Sequence, residues 1–256
     1  MFNFIIKPSS IVIDTFTYIE EVHDLYAPDL ASRFVPKWWK DLATNYQANL
    51  QFPQVEFATA KKCIGIIETY KNGFILPLWS DLAINVMSTG DDRRYSYMFA
   101  DQESTANHHN PEQFGNFVDP SKLQHLKLGS PWKFKEKSGV MFSLNQPTWN
   151  LQNHIVDFTI IPGLSDFKYQ NSTNIQMLLH YPPNNTTKHL LIEAGTPMYH
   201  IIPMSDKKVT IKKHLVSREE WDSMGNALIK FSGSYKARKD KMNDSESKCP
   251  FSRMFK

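Results

Sequence analysis

Between residues 74 and 214 the chain runs as short stretches of alternating apolar and polar residues, separated by groups of Gly, Pro, Asn and Asp. A period of two turns one side of each stretch toward a core and the other toward solvent, the signature of a half-buried strand. About ten strands are expected, drawn from 74–78, 82–87, 95–100, 125–128, 132–137, 140–144, 154–161, 174–181, 188–192, 197–202 and 208–214. Ser88-Thr-Gly-Asp-Asp, Ser138-Gly139, Pro162-Gly163, Pro182-Pro-Asn-Asn and Ala194-Gly195-Thr supply turns between them. Since no helical pattern of roughly ten residues intervenes, antiparallel pairing is expected, which favours a sandwich, jelly roll or double-stranded β-helix over a βαβ fold.

Ahead of these strands, Phe2 to Ile6 and Ile11 to Thr17 read as two arms of a hairpin around Pro8. Helices are expected at 18–26, at 37–45 behind Pro36, and at 60–71, where Asn72-Gly73 stops the last. Ser217-Arg-Glu-Glu220 is a capping box, and Trp221, Met224, Ala227, Leu228 and Phe231 recur at helical spacing behind it. The expected class is therefore mainly β (α+β): an antiparallel β-sandwich or jelly-roll-like core with a few peripheral helices. One domain is expected over 1–233, with the hairpin and helices at 1–72, the core at 73–216 and a capping helix at 217–232.

Seventeen Phe, ten Tyr and six Trp exclude disorder of the whole chain, because such a chain cannot forgo a core. No apolar run approaches the ~18 residues of a membrane helix, and Met1 to Lys7 lacks the layout of a secretory signal, so an intracellular protein is expected. Cys63 and Cys249 stand far apart without CxxC spacing, which fits a reducing compartment and excludes a cysteine-ligated zinc. The acceptor-type sequons at Asn171 and Asn184 then read as ordinary polar turns. The net charge of +3 comes from the end of the chain: residues 234–256 hold 7 of the 29 Lys and Arg but 3 of the 26 Asp and Glu. The remaining 22 bases and 23 acids nearly cancel, so the body is no basic platform for nucleic acid. A mobile basic tail is the one place where nucleic acid is expected to bind, against the plainer reading of a solvated end.

Tryptophans beside Pro and Asn are the clearest candidates for recognition. Trp79, Trp132 and Trp149 with Asn150 can stack on a ligand or anchor a partner, or equally plug the rim of a sandwich. His108 and His109 sit in a long polar stretch, 101–116, of the kind that often carries a binding site. A metal site is the rival: His189 and Glu193, four apart, share a strand face, and His200 can join them across the Gly195 turn to hold Fe2+. His154 and Asp157, three apart, should point to opposite faces of a regular strand. Asp91-Asp92-Arg93-Arg94 reads as a self-neutralising corner. Gly163-Leu-Ser165 lacks the second glycine of a nucleophile elbow, and no phosphate-cradling glycine loop occurs. Cys63, followed by the apolar run Ile64 to Ile67, reads as a buried, inert thiol.

Three blocks carry a family resemblance: Arg33-Phe-Val-Pro-Lys-Trp-Trp-Lys-Asp-Leu42, Cys63-Ile-Gly-Ile-Ile with Tyr70-Lys-Asn-Gly-Phe74, and Leu76-Pro-Leu-Trp-Ser-Asp81. With Ile161-Pro-Gly163 and Gly195-Thr-Pro-Met-Tyr-His-Ile-Ile-Pro203, they make the chain resemble uncharacterised proteins of T4-like tailed phages of marine bacteria over Pro36 to His214. The resemblance implies a viral origin and the cytoplasm of an infected host cell, and supplies no activity, cofactor or catalytic residue. The expectation is an accessory protein that binds a protein or small-molecule ligand without catalysis, cofactor or membrane. The rivals are a nonhaem-iron oxygenase on a double-stranded β-helix and a virion component.

Overall fold

The computed structural model describes residues 10–47, 56–115, 117–224 and 239–240. Strand β1 (Ser10–Thr17) leads into α1 (Glu20–Leu25) and the short β2 (Asp29–Leu30). Then come α2 (Lys37–Asp41), the paired β3 (Asn45–Gln47) and β4 (Glu56–Ala58), and α3 (Ile64–Lys71). The strand-rich part holds β5 (Phe74–Pro77), β6 (Leu82–Thr89), β7 (Asp92–Phe99), β8 (Thr105–His108) and β9 (Leu123–Lys135). It continues through β10 (Phe142–Asn145), β11 (Phe158–Ile160), β12 (Gly163–Ser165) and β13 (Ser172–His180). Last are β14 (Thr186–Ile192), β15 (Pro197–Pro203), β16 (Lys208–Leu215) and α4 (Arg218–Ser223).

The protein is a β-rich α+β fold in which two large sheets face each other. One runs β11-β13-β9-β1-β16, with β8 also on β9; the other runs β12-β10-β15-β5-β2. A three-stranded sheet, β14-β6-β7, continues the second, because β5 passes into β6 and β14 into β15 through a shared corner. Alternation decides which side chains enter the core: Ile11, Ile13, Thr15 and Thr17 of β1 and Leu82, Ile84, Val86 and Ser88 of β6 are buried. Between the large sheets, Phe74 meets Phe134 at 5.9 Å between ring centroids, and Phe167 meets Phe134 at 5.0 Å and Phe142 at 5.1 Å. All four rings are 0% exposed, and cutting any one to alanine should cost about 3–5 kcal/mol.

Several expectations need correction. β1 pairs in parallel with β16, from Ser10–Lys208 to Thr17–Leu215, and antiparallel with β9. The intervening chain serves as one very long crossover, which a rule written for neighbouring strands does not foresee. The proposed first hairpin arm, residues 2–6, lies outside the described residues, as does the capping helix beyond residue 224 and all but 239–240 of the tail. Strands expected at 125–128 and 132–137 are one bent strand, β9, whose register with β13 shifts where Ser172 faces Lys133 and Asn174 faces Gly129. Residues 154–157 turn instead of extending, so His154 and Asp157 meet at 3.1 Å rather than point apart. The 101–116 stretch is not featureless, since β8 adds to β9. Cys63 is exposed, as is Ile64 at 73%, because only the Ile66 and Tyr70 side of α3 faces inward.

The link between α3 and β5 depends on Gly73, whose φ is 72° and whose missing Cβ would lie 2.3 Å from the Ile201 carbonyl oxygen. Gly90, at φ 57°, has open space around it. Gly73→Ala is expected to lower unfolding free energy by roughly 2–4 kcal/mol, since strain and collision add, and Gly90→Ala by about 1 kcal/mol. Urea denaturation of the two variants measures the difference, and equal losses would refute the steric account of the link.

Candidate functional site

The corner between the second large sheet and the three-stranded sheet carries a cleft. Two backbone bonds fix the corner: the Leu78 N–H donates to the Thr196 carbonyl at 2.8 Å, and the Gly195 N–H to the Leu78 carbonyl at 2.7 Å. Gly195, at φ 85°, makes the turn, as a left-handed position favours. Asp81 ties three segments together here. Its Oδ1 accepts from the Ala194 N–H at 2.7 Å and its carbonyl from the Ala100 N–H at 2.9 Å, which brings the end of β7 over the corner.

Beyond β7 the chain forms a turn around a carboxylate. Asp101 Oδ1 accepts from the N–H groups of Glu103 at 2.8 Å and Ser104 at 2.6 Å, and Oδ2 accepts from the Ser104 hydroxyl at 2.7 Å. That hydroxyl in turn accepts from Trp79 Nε1–H at 2.8 Å, so the indole, the hydroxyl and the carboxylate form one relay. Burial alone raises the Asp101 pKa, but the donors from Ser80, Ser104 and Glu103 outweigh it and hold the carboxyl below its usual range. Glu103 Oε2 accepts from the Tyr18 hydroxyl at 2.8 Å and from Arg218 at 2.9 Å, and these bonds lower its pKa. Burial, then the bond to Glu103, pushes the Tyr18 phenol up to about 12.

Helix α1 closes the other side with Ile19, Glu21, Val22 and Tyr26, leaving a cleft of about 230 Å³. Its lining includes four carboxylates, Glu21, Asp81, Asp101 and Glu103, around an apolar floor of Val22, Trp79 and Ala100. An ionised carboxylate only accepts hydrogen bonds, and Arg218 pairs with Glu103 alone among the four. Such a site attracts a cation that brings an apolar stem.

The expected recognition residues divide among different places. Trp79 belongs to the cleft, but as its floor, at 2% exposure. Trp132 is a correction: it is 0% exposed, within the core, and presents no face to a ligand from solution. Trp149, 45% exposed, packs on Trp38 at 6.0 Å, and Asn150 spends its amide on the Tyr70 hydroxyl and the Phe34 carbonyl, each at 2.7 Å. That pair braces the small helical layer rather than the cleft. His108 is exposed on β8, whereas His109 lies tilted against the buried His125 at 4.8 Å between ring centroids, with Phe114 against the same ring.

The iron reading is corrected by geometry. His189 Nδ1 is 2.5 Å from Asn85 Oδ1 on the three-stranded sheet, and Glu193 is exposed beyond β14. His200 is buried on β15 with Nε2 2.8 Å from the Asn72 carbonyl. Among the described residues no three His, Cys, Asp or Glu side chains gather as a metal would require. Glu21, Asp81, Asp101, Glu103 and Arg218 were not legible as one site, because four segments far apart in sequence supply them. The one local signal was Asp101-Gln-Glu-Ser104, a side-chain-capped turn.

No protein-family model matches the chain, and no curated protein matches it. Among the described residues no helix is long and apolar enough to cross a membrane.

His125 gives a pH prediction. Burial first, then the charge of His109, lowers its pKa, while Gln176 at 2.8 Å opposes this. The unfolded chain therefore takes up a proton at higher pH than the folded one. Stability is expected to fall as pH drops below the ordinary value of 6.5 and to level off below the depressed one. Urea midpoints from about pH 7.5 to about pH 5 should show this loss, and His109→Gln should make it shallower by removing the neighbouring charge. An equal slope in the variant would show that His109 adds nothing to the effect of burial.

Proposed function

We propose that the protein is a non-catalytic binding module whose corner cleft receives one basic side chain, Lys or Arg, presented by a partner protein. The observation that carries this reading is that Glu21, Asp81, Asp101 and Glu103 all line one cleft whose floor includes Trp79. An ammonium or guanidinium group meets charge-assisted acceptors there, and its methylene stem covers apolar surface. The resemblance to proteins of T4-like phages supports reading it as a phage-encoded accessory protein that acts in the cytoplasm of the infected cell. Partner choice then resides in the corner of the sandwich and the start of the 101–116 stretch, not in a ring of exposed tryptophans.

The Trp79 indole N–H, bonded through Ser104 to Asp101, is a built-in reporter. A peptide with a single Arg or Lys should shift its resonance, and the same peptide with citrulline or acetyl-lysine should not. Asp101→Asn is expected to weaken binding about tenfold and Glu21→Gln about threefold, as loss of a charge from a hydrogen bond or from a nearby field does. Glu21→Gln should leave the melting temperature unchanged. Equal shifts with charged and neutral peptides, or no shift with either, would refute the reading.

A further inference from the structure

Lys133 lies on the outer face of the β11-β13-β9-β1-β16 sheet, opposite in sense to Phe134, which enters the core. Its side chain is 1% exposed, an unusual place for an ammonium. It donates to the Trp221 carbonyl at 2.5 Å and lies 3.7 Å from the centre of the Trp221 ring. No carboxylate of the described residues forms an ion pair with it. Asp222 attracts the ammonium without bonding to it, and burial outweighs that attraction and lowers the Lys133 pKa, so one carbonyl, one ring face and a distant carboxylate offset only part of the cost of burying the charge. Anchoring α4, six residues long, does not call for it, since Asn171 already caps the Met224 carbonyl at 2.9 Å and Trp221 Nε1–H already bonds the Pro131 carbonyl at 2.9 Å.

The same lysine lines a cleft of about 380 Å³ with Phe16, Phe134, Lys135, Lys168, Asn171, Glu220 and Met224. Three of these lining residues, Lys133, Lys135 and Lys168, are bases and one, Glu220, is an acid, while Phe16 and Met224 supply apolar wall. We propose that Lys133 anchors a binding site for a small organic oxyanion, a phosphate or carboxylate joined to an apolar body, in this cleft. The buried ammonium is then the charge that the ligand completes. Lysine suits the role as a point charge with N–H donors to spare. This site shares α4 with the acidic corner, since Trp221 packs on Tyr18 and Arg218 pairs with Glu103, but no residue lines both clefts.

The test uses the full chain, titrated calorimetrically at constant ionic strength with phenyl phosphate, benzoate and, as the uncharged control, phenol. One anion or both should bind at one site, and phenol at least about tenfold more weakly. Lys133→Met should weaken anion binding at least about tenfold while the ligand-free variant melts no lower than wild type, since it removes a buried charge whose desolvation outweighs the pull of Asp222. A variant that melts lower and binds the anion as before would make Lys133 a mere anchor for α4 and overturn the proposal. So would phenol binding as tightly as phenyl phosphate, or no binding of either anion. Should Lys133→Met fail to fold, Lys135→Ala on the exposed rim serves: a loss of about threefold supports the site, and an unchanged affinity refutes it.

Discussion

Contact of aromatic rings across the gap between the two large sheets sets the geometry of everything else. Phe74 comes from one sheet and Phe134 from the other, and Phe167 from a connecting segment lies between Phe134 and Phe142. Rings at about 5 to 6 Å contribute more than their buried area, and Phe74 also meets Phe142 edge to face. They hold the sheets at one separation and one rotation. The corner at Leu78 and Gly195 then has a fixed place to bend from, and the loop after β7 has a fixed surface to land on. The acidic cleft is thus a product of core packing, since Val22 and Trp79 of its floor belong to the core cluster.

What the sequence made legible follows from range. β6 and β13 were readable because their alternation is local and one face of each is buried. β2 and β12 were not, since two or three residues carrying Asp or Gly hold no period to detect, and their pairing is imposed by β5 and β10. The turn at 154–157 was misread for a related reason: a His–Asp bond three residues apart stabilises a turn that the apolar pattern could not announce. Tryptophan beside proline proved ambiguous in practice. The same pairing gives a core filler at Trp132, a cleft floor at Trp79 and a half-exposed brace at Trp149. Burial, which separates these cases, is a property of the whole fold.

Two clefts of opposite character sit on one scaffold. The corner collects carboxylates on short turns, and at Asp101 hydrogen-bond donors already favour the ionised form. The outer sheet face instead carries a buried ammonium beneath an indole. In the first, local hydrogen bonds stabilise the charge before any ligand arrives. In the second, the fold leaves a charge incompletely matched, which is how proteins that bind ions commonly exchange some stability for function.

The parallel partnership of β1 with β16 has a consequence for how the chain reaches its final shape. Some two hundred positions separate the two, so the closure entropy is large and the pairing belongs among the slow, non-local steps of folding. During synthesis β1 leaves the ribosome early and waits, with one flank unprotected, until β16 follows. Until then that flank is a sticky template for other copies. The charged lysines of β16, Lys208, Lys212 and Lys213, afterwards form the outer border, so the finished molecule is guarded at a margin where the nascent one is not.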